Sequence, residues 1–294
     1  MRDILSLLTR KDKWYAGGAG RLLYAPPFPS FPDTPGFWDP AHYYNCELPR
    51  LFTWTLLDEA GTEIPLRLLA RRWTPARITR TYRASRGGTP LSVSETRTVL
   101  PNGVALAHLA IRHMGRGIRR IRVVAWTACE NLPAGEKTWI TGPECARGVY
   151  SAIVHAGAQG RPPLAIGTAM GIDRTVLSYA VQLSEGSSPR PAWSHSPMAE
   201  KFRAGKLPST IHASGVGNDG LLFAALHADA RPGAGREEQI TIAFAAAGST
   251  DEARENLRRT IRERQPLVRN DGEWKEYFSG VPRFSCSDPF IERS

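Results

Sequence analysis

The sequence predicts a mainly β domain of antiparallel strands, followed by helical segments. Two observations indicate this class. Apolar residues recur at every second position over short runs, and turn sequences rich in glycine, proline and asparagine separate those runs. The 294 residues include 27 glycines and 23 prolines. This composition suits strands and loops better than a helical bundle, and the apolar spacing becomes helical only after residue 248.

The clearest strands lie in the centre of the chain. Four are predicted there, at residues 77–83, 91–100, 104–112 and 119–128. Gly87-Gly88 and Asn102-Gly103 supply the positive φ angles that tight hairpin turns require. Leu91, Val93 and Val99 share one face of the second strand. We therefore expect a single antiparallel meander that serves as scaffold.

Weaker alternating patterns occur on both sides of this meander. They predict strands at residues 21–25, 51–57, 64–70, 149–155, 164–168, 175–183, 221–227 and 239–246. Two regions between them, residues 130–146 and 184–210, are expected to be irregular. The first carries three carboxylates that we expect to be solvated loop residues, Glu130, Glu136 and Glu144.

The second irregular region contains adjacent Ser194 and His195. A serine hydrolase of the α/β type would place its serine in a GxSxG elbow and would need a partner acid. The sequence shows neither, so we predict no catalytic triad.

Residues 26–49 form the most unusual loop. Its prolines are expected to prevent regular strand pairing, yet it also carries six aromatic residues, and long structured loops in compact domains are usually functional. Aromatic faces stack on sugar rings while Asp and His bond hydroxyl groups. Five side chains are therefore candidates for a sugar-binding rim: Trp38, Asp39, His42, Tyr43 and Tyr44. The alternative is a small hydrophobic cluster that holds the loop down.

The bulk properties bear on partners and location. The net charge of +10 comes from scattered arginines without a basic stripe or aromatic platforms, so we expect no nucleic-acid partner. No stretch is long enough to span a bilayer, so no membrane partner is expected, and the N-terminus lacks a signal peptide. The cysteines show no metal spacing and no CxxC pair, which predicts free thiols, no metal or cofactor, and a cytoplasmic protein. They are Cys46, Cys129, Cys145 and Cys286.

A helix is predicted after the strands. Ser249 as N-cap with Glu252 three residues later forms a capping box. Ala253, Leu257 and Ile261 share one face, and the helix is expected to run to about residue 264. Pro266 is expected to end it.

The last segment, residues 271–294, has apolar residues at helical spacing and a fresh helix start at Ser287-Asp288-Pro289. A helix of so few residues is not stable alone. We therefore expect a longer protein whose next domain is helical; the alternative is an ordinary frayed terminus.

Three short motifs carry a resemblance to a known group of enzymes. They are Gly36-Phe37-Trp38-Asp39 with Tyr43-Tyr44, then Trp73-Thr74-Pro75, and the Trp-x-x-Tyr-Phe-x-x-Val-Pro-x-Phe-x-x-x-Asp segment from Trp274 to Asp288. Together they resemble the N-terminal domain and barrel entry of six-hairpin glycosidases, the glycogen-debranching, mannosylglycerate-hydrolase and disaccharide-phosphorylase-like enzymes.

The resemblance implies a domain division. Residues 1–247 would form a large antiparallel β-supersandwich of the galactose-mutarotase type. Residues 248–270 would form a linker helix, and residues 271–294 would enter an (α/α)6 catalytic barrel that this chain does not contain.

The resemblance also implies a function. The catalytic carboxylates of those enzymes lie on the barrel, so no catalytic residue is assigned here. The chain would be the non-catalytic domain of a glycoside hydrolase or phosphorylase, inactive alone. Its partners would be a carbohydrate substrate and a C-terminal helical catalytic domain, with residues 26–49 reaching the sugar site.

Two other functions stay open. One is a free-standing carbohydrate-binding module. The other is a mutarotase-like aldose epimerase that uses a His/Glu pair. Candidate histidines lie on or at the ends of predicted strands, although none has an identifiable carboxylate partner; they are His108, His155 and His227.

Overall fold

The computed structural model describes residues 4–281, apart from 18–19, 27, 87–89, 158–161, 185–189, 213–219 and 235. The described residues form fifteen strands, which are β1 (Leu22–Leu23), β2 (Phe37–Tyr43), β3 (Cys46–Leu57), β4 (Leu66–Thr74), β5 (Arg77–Ala84), β6 (Leu91–Leu100), β7 (Val104–His113), β8 (Ile121–Asn131), β9 (Thr138–Ala146), β10 (Val149–Ala156), β11 (Leu164–Ile172), β12 (Ser178–Ser184), β13 (Thr210–His212), β14 (Gly220–Ala230) and β15 (Glu237–Ala247). Their α-helices are α1 (Ile4–Leu7), α2 (Thr250–Arg262) and α3 (Pro266–Ser279), and short 3-10 helices lie at Trp193–His195 and Lys201–Ala204.

The strands form two large sheets. The seven-stranded sheet has the order β1-β2-β3-β8-β14-β12-β13, and the eight-stranded sheet has the order β4-β5-β6-β7-β15-β11-β10-β9. All pairings are antiparallel except that between β12 and β13. This β-sandwich followed by helices confirms the predicted fold class.

Alternation along the strands produces three apolar layers. On β8, Val123 and Ala125 face the main core, whereas Val124 and Trp126 belong to a second cluster on the opposite face of the sheet. Residues 190–207 cover that second cluster with a tryptophan, a methionine, a phenylalanine and a leucine. The seven-stranded sheet is therefore apolar on both faces.

Helix α2 covers the outer face of the eight-stranded sheet with Ala253 and Leu257. Its predicted cap is confirmed, because the Ser249 hydroxyl accepts a hydrogen bond from the backbone N–H of Glu252 at 3.2 Å. The Glu252 carboxylate in turn accepts from the backbone N–H of Gly248 at 3.1 Å. The Ser249 cap thus sets the helix start as the sequence predicts, whereas the Glu252 carboxylate bonds the residue before the cap and not Ser249 itself.

The predicted meander is right for three strands and wrong for the fourth. Strands β5, β6 and β7 pair consecutively, but β8 pairs with β3 and β14 in the other sheet. Periodicity identifies a strand without naming its partner, and the connection at residues 114–120 crosses from one sheet to the other.

Two regions predicted to be irregular contain strands. Strand β2 lies within residues 26–49, and its Pro40 sits where the pairing with β3 shifts register. Proline is tolerated at such bulges, so the expectation that prolines exclude pairing is wrong. Strand β9 occupies residues predicted to be loop, and its Glu144 forms an ion pair with Arg254 of α2.

The C-terminal helices also differ in detail from the prediction. Helix α2 ends at Arg262, and Pro266 begins α3 rather than only ending its predecessor. Proline is common at the first helical position because its missing N–H would be unpaired there anyway. Helix α3 runs across the predicted boundary at residue 270. The Ser287-Asp288-Pro289 start and the Gly87-Gly88 turn lie outside the described residues.

Candidate functional site

The predicted sugar-rim residues lie on β2 and the turn after it, and most of them are buried. Trp38 is 1% exposed and packs edge-on against Trp126, with ring centroids 4.9 Å apart. Tyr43 is 3% exposed and belongs to the main core. Asp39 is 3% exposed, and its carboxylate accepts hydrogen bonds from the Ser30 backbone N–H at 2.8 Å and the Tyr24 hydroxyl at 3.3 Å.

The other two predicted residues reach the surface. Tyr44 is 53% exposed, has a φ of 53°, and lies against the guanidinium of Arg21. His42 is half-buried and pairs with Glu47 across the hairpin. The five side chains are therefore divided between the interior and the surface, and a sugar contact through them stays a prediction.

A cluster of buried charges lies beneath the loop that precedes β2. Arg80 on β5 stands opposite Glu95 on β6, and Arg97 lies two residues further along β6. The three side chains are at most 2% exposed. With Asp39 they balance two positive and two negative charges, which is the condition under which buried charges are tolerated.

The two arginines hold the loop by its carbonyl groups. Arg80 donates to the carbonyl oxygens of Thr34, at 2.7 Å, and of Pro32. Arg97 donates to the carbonyl oxygen of Gly36. Buried side chains thus hold residues 32–36 through several backbone carbonyl groups.

Burial shifts the pKa values of several groups in this cluster. It lowers the pKa of Arg97 and raises the pKa of Tyr24 to about 12, against the opposing influence of the Arg97 charge. It also raises the pKa of Tyr82, whose hydroxyl donates to Glu95 at 3.1 Å. Both tyrosines therefore stay neutral over the physiological range and act as hydrogen-bond donors.

The fixed loop forms one wall of a cavity of about 420 Å³. The lining also includes Glu63, which precedes β4, and Pro191. Glu63 is half-buried, and burial raises its pKa, against the opposing influence of the nearby Ser194 and Trp193 backbone. Hydroxyl groups and apolar side chains complete a lining of mixed character.

A larger groove of about 950 Å³ lies between the N-terminal segment and α3. Its lining is mainly aromatic and aliphatic, with Tyr15, Trp73 and Trp274 among its side chains. Tyr277 of α3 also lines it and is 64% exposed. An apolar groove at the surface is a candidate interaction site.

One histidine has a carboxylate partner that sequence reasoning missed. His227 Nε2 lies 3.4 Å from an oxygen of Asp229, and its Nδ1 lies 3.0 Å from the Ser178 hydroxyl. The pair occurs at i and i+2 on β14, a spacing that places both side chains on one face of a strand. His227 is 2% exposed and packs against the Phe202 ring. The mutarotase-like hypothesis thus gains a His/Asp pair, but this pair is not accessible to a substrate.

The remaining chemical candidates are scattered. His108 bonds Thr241, and His155 stacks on Trp139 and bonds Thr141. Within the described part of the chain, no group of three or more His, Cys, Asp or Glu is arranged to hold a metal ion. Among those residues, no helix is long and apolar enough to cross a membrane.

The buried charges were detectable in the sequence. Glu95 and Arg97 are in phase with Leu91, Val93 and Val99, whose alternation predicts an inward face. Two charges on a core-facing strand are unusual, because unpaired burial of a charge is strongly unfavourable. Charged residues at these inward-facing positions were therefore the sequence signal for a buried polar network.

Comparisons with known proteins support the fold. No protein-family model matches the chain, and no curated protein matches it. Among solved structures, a bacterial glucoamylase complexed with acarbose is similar with a TM-score of 0.51 and 9% identity, covering 92% of this chain and 37% of that one. A putative kojibiose phosphorylase from human microbiome has a TM-score of 0.49 and 12% identity, covering 77% of this chain and 27% of that one.

The chain therefore spans between 27% and 37% of the length of these solved chains. At 9% identity, the similarity to the glucoamylase concerns the fold alone, and at that level it confirms the expected resemblance.

Proposed function

We propose that this chain is the non-catalytic β-sandwich domain of a carbohydrate-active enzyme, a glycoside hydrolase or phosphorylase, and that it supports a helical catalytic domain. The observation that carries this proposal is the glucoamylase-like fold, which covers 92% of this chain but only 37% of the solved one. The larger remainder of such an enzyme leaves room for a separate catalytic unit.

The groove and α3 support a domain contact. Trp274 and Phe278 stack at 5.7 Å on the same helix, Tyr277 is 64% exposed, and Val281 beyond the helix is 41% exposed. In α3 the buried residue is Asn270, whereas the apolar side chains of its second half stay partly or largely exposed. An amphipathic helix normally buries its apolar stripe, so this stripe is available to a neighbour.

The same helix is firmly held at its polar side. Asn270 is 2% exposed, and its amide donates to the Ala76 carbonyl at 2.8 Å and the Thr98 hydroxyl at 3.0 Å. Asp271 forms an ion pair with Arg77 at 2.8 Å. A rigidly placed helix with a bare apolar stripe suits a linker that orients a second domain.

The proposed chemistry assigns catalysis to that second domain. Glycoside hydrolysis requires two carboxyl groups on either side of the scissile bond, about 5–9.5 Å apart depending on stereochemistry. We place this pair in the helical domain. The proposed location is the cytoplasm, which the free cysteines Cys46, Cys129 and Cys145 support, since disulfides are rare there.

Binding of a hydrophobic dye tests whether the apolar groove is exposed to solvent. The purified chain is expected to bind a hydrophobic dye such as ANS, and Tyr277→Lys should reduce that binding without loss of stability. The matched control is Ile118→Lys, because Ile118 is 76% exposed but does not line the groove. Equal dye binding by the wild-type chain and both variants would contradict a bare docking groove.

A further inference from the structure

The cavity beneath the loop has the chemistry of a small-molecule site. Its volume of about 420 Å³ lies within the usual range for ligand pockets. Polar groups with oxygen acceptors line it together with apolar side chains: Ser30, Phe31, Asp33, Thr34, Glu63 and Ile64. Such a mixture suits a ligand that has hydroxyl groups around an apolar ring.

One wall of the cavity is preorganised. Arg80 and Arg97 hold the carbonyl groups of residues 32–36, and Glu95 accepts a hydrogen bond from the Gly36 backbone N–H at 2.7 Å. The Thr53 hydroxyl donates to the Pro35 carbonyl at 2.9 Å. A rigid wall lowers the entropic cost of binding a ligand. Buried ion pairs carry a large desolvation cost, which a loop without a function would not require.

Another part of the lining contributes a carboxylate. Glu63 is half-buried and lines the cavity. A carboxylate has about four acceptor positions, so it can accept hydrogen bonds from hydroxyl groups of a ligand. Asp33 on the loop is exposed and adds a second acceptor.

We propose that this cavity binds one neutral sugar ring, with Glu63 and Asp33 accepting hydrogen bonds from its hydroxyl groups and Phe31 contacting its apolar face. The inference deepens the proposed function and rests on it for the class of ligand. It places the sugar contact at residues 30–35 and not at Trp38, which is buried. The two carboxylates disfavour anionic sugars by charge repulsion.

Titration of the purified 294-residue chain tests this site. Methyl glucosides, mannosides and galactosides are added while binding is followed by calorimetry, with sodium glucuronate as the anionic comparison. We expect saturable binding of at least one neutral pyranoside in the millimolar range and weaker binding of glucuronate. No saturation by any neutral pyranoside, or preferred binding of glucuronate, would overturn the proposal.

Variants localise the binding. Glu63→Gln is expected to weaken it about tenfold, which is about 1.4 kcal/mol, and Thr34→Trp should abolish it by filling the cavity. Glu59→Gln is the matched control, because Glu59 is exposed in the same connection between β3 and β4 and does not line the cavity. Binding that Thr34→Trp leaves intact would place the sugar elsewhere and refute the site.

These outcomes are separable from those of the proposed function. Loss of the sugar site leaves the groove and the supporting role intact, since Thr34 and Glu63 do not line the groove. Conversely, a chain that carries its own catalytic activity would refute the supporting role, whatever the calorimetry shows.

Discussion

The indole Nε1 of Trp54 donates a hydrogen bond of 2.7 Å to the carboxylate of Glu95. Trp54 belongs to β3 of the seven-stranded sheet, and Glu95 belongs to β6 of the eight-stranded sheet. The bond therefore joins the two layers through the core. The same carboxylate oxygen also fixes the Gly36 N–H, so sheet packing and loop position depend on one side chain.

Replacement of Glu95 should be strongly destabilising. Glu95→Gln removes the negative charge that offsets Arg80 and Arg97, and removal of one member of a buried ion pair typically costs about 3–5 kcal/mol. Chemical denaturation measures the free energy of unfolding. Glu47→Gln provides the control, because Glu47 pairs with Lys137 at the surface, where such pairs contribute about 0–1 kcal/mol. Similar losses for both variants would show that the cluster does not stabilise the fold.

Gly36 is predicted to tolerate no side chain. Its φ is +71°, and an added Cβ would lie 2.6 Å from the Phe52 carbonyl oxygen and 2.9 Å from Thr53 Cα. Gly117 has a φ of +86° but open space around it. Alanine at position 117 should cost about 1–2 kcal/mol from backbone strain alone. Alanine at position 36 should cost about 1–3 kcal/mol more from overpacking, and equal losses in thermal unfolding would contradict the close approach.

His227 is predicted to make stability depend on pH. Burial lowers its pKa from 6.5 to about 4, despite the neighbouring Asp229 carboxylate. Between these values the unfolded chain binds a proton that the folded chain does not, so stability falls as the pH drops from about 6.5 to about 4. The loss attributable to His227 is up to about 3 kcal/mol.

The comparison variant for this prediction is His227→Gln, which can still bond the Ser178 hydroxyl but cannot take up a proton. Denaturation midpoints at pH 7 and pH 4.5 should differ less for this variant than for the wild-type chain. An unchanged difference would mean that other groups cause the acid sensitivity.

Asn270 is predicted to fasten α3 to the sandwich. Asn270→Ala removes two side-chain hydrogen bonds, each contributing about 0.5–1.5 kcal/mol. Hydrogen exchange of backbone amides should accelerate in α3 but not in β6 or β7. Glu276→Ala is the control, because Glu276 is exposed on the same helix. Exchange that accelerates equally in both variants, or throughout the sandwich, would refute a local fastening role.

Local sequence signals account for much of the fold. Strands β5, β6 and β7 follow from period-two alternation and from turns such as Asn102-Gly103, where Gly103 has a φ of +77°. The α2 cap follows from Ser249 and Glu252. These features are set by residues within a few positions of one another, so a single sequence is enough to predict them.

The features that could not be predicted depend on distant contacts. Strand β8 reads as a strand, but its assignment to the second sheet depends on partners more than 60 residues away. The cavity combines residues 30–35 with Glu63 and Pro191, which no local pattern connects. The aromatics of the loop drew attention to the right segment, but β2 turns Trp38 and Tyr43 into the core.

Activity measured on the isolated chain tests the supporting role most directly. The purified, cooperatively folded 294-residue chain should neither hydrolyse aryl glycosides nor cleave disaccharides in the presence of phosphate. Glycosidase or phosphorylase turnover that disappears when one of the chain's own carboxylates, such as Glu63, is replaced by its amide would contradict that role and place catalysis in the sandwich itself.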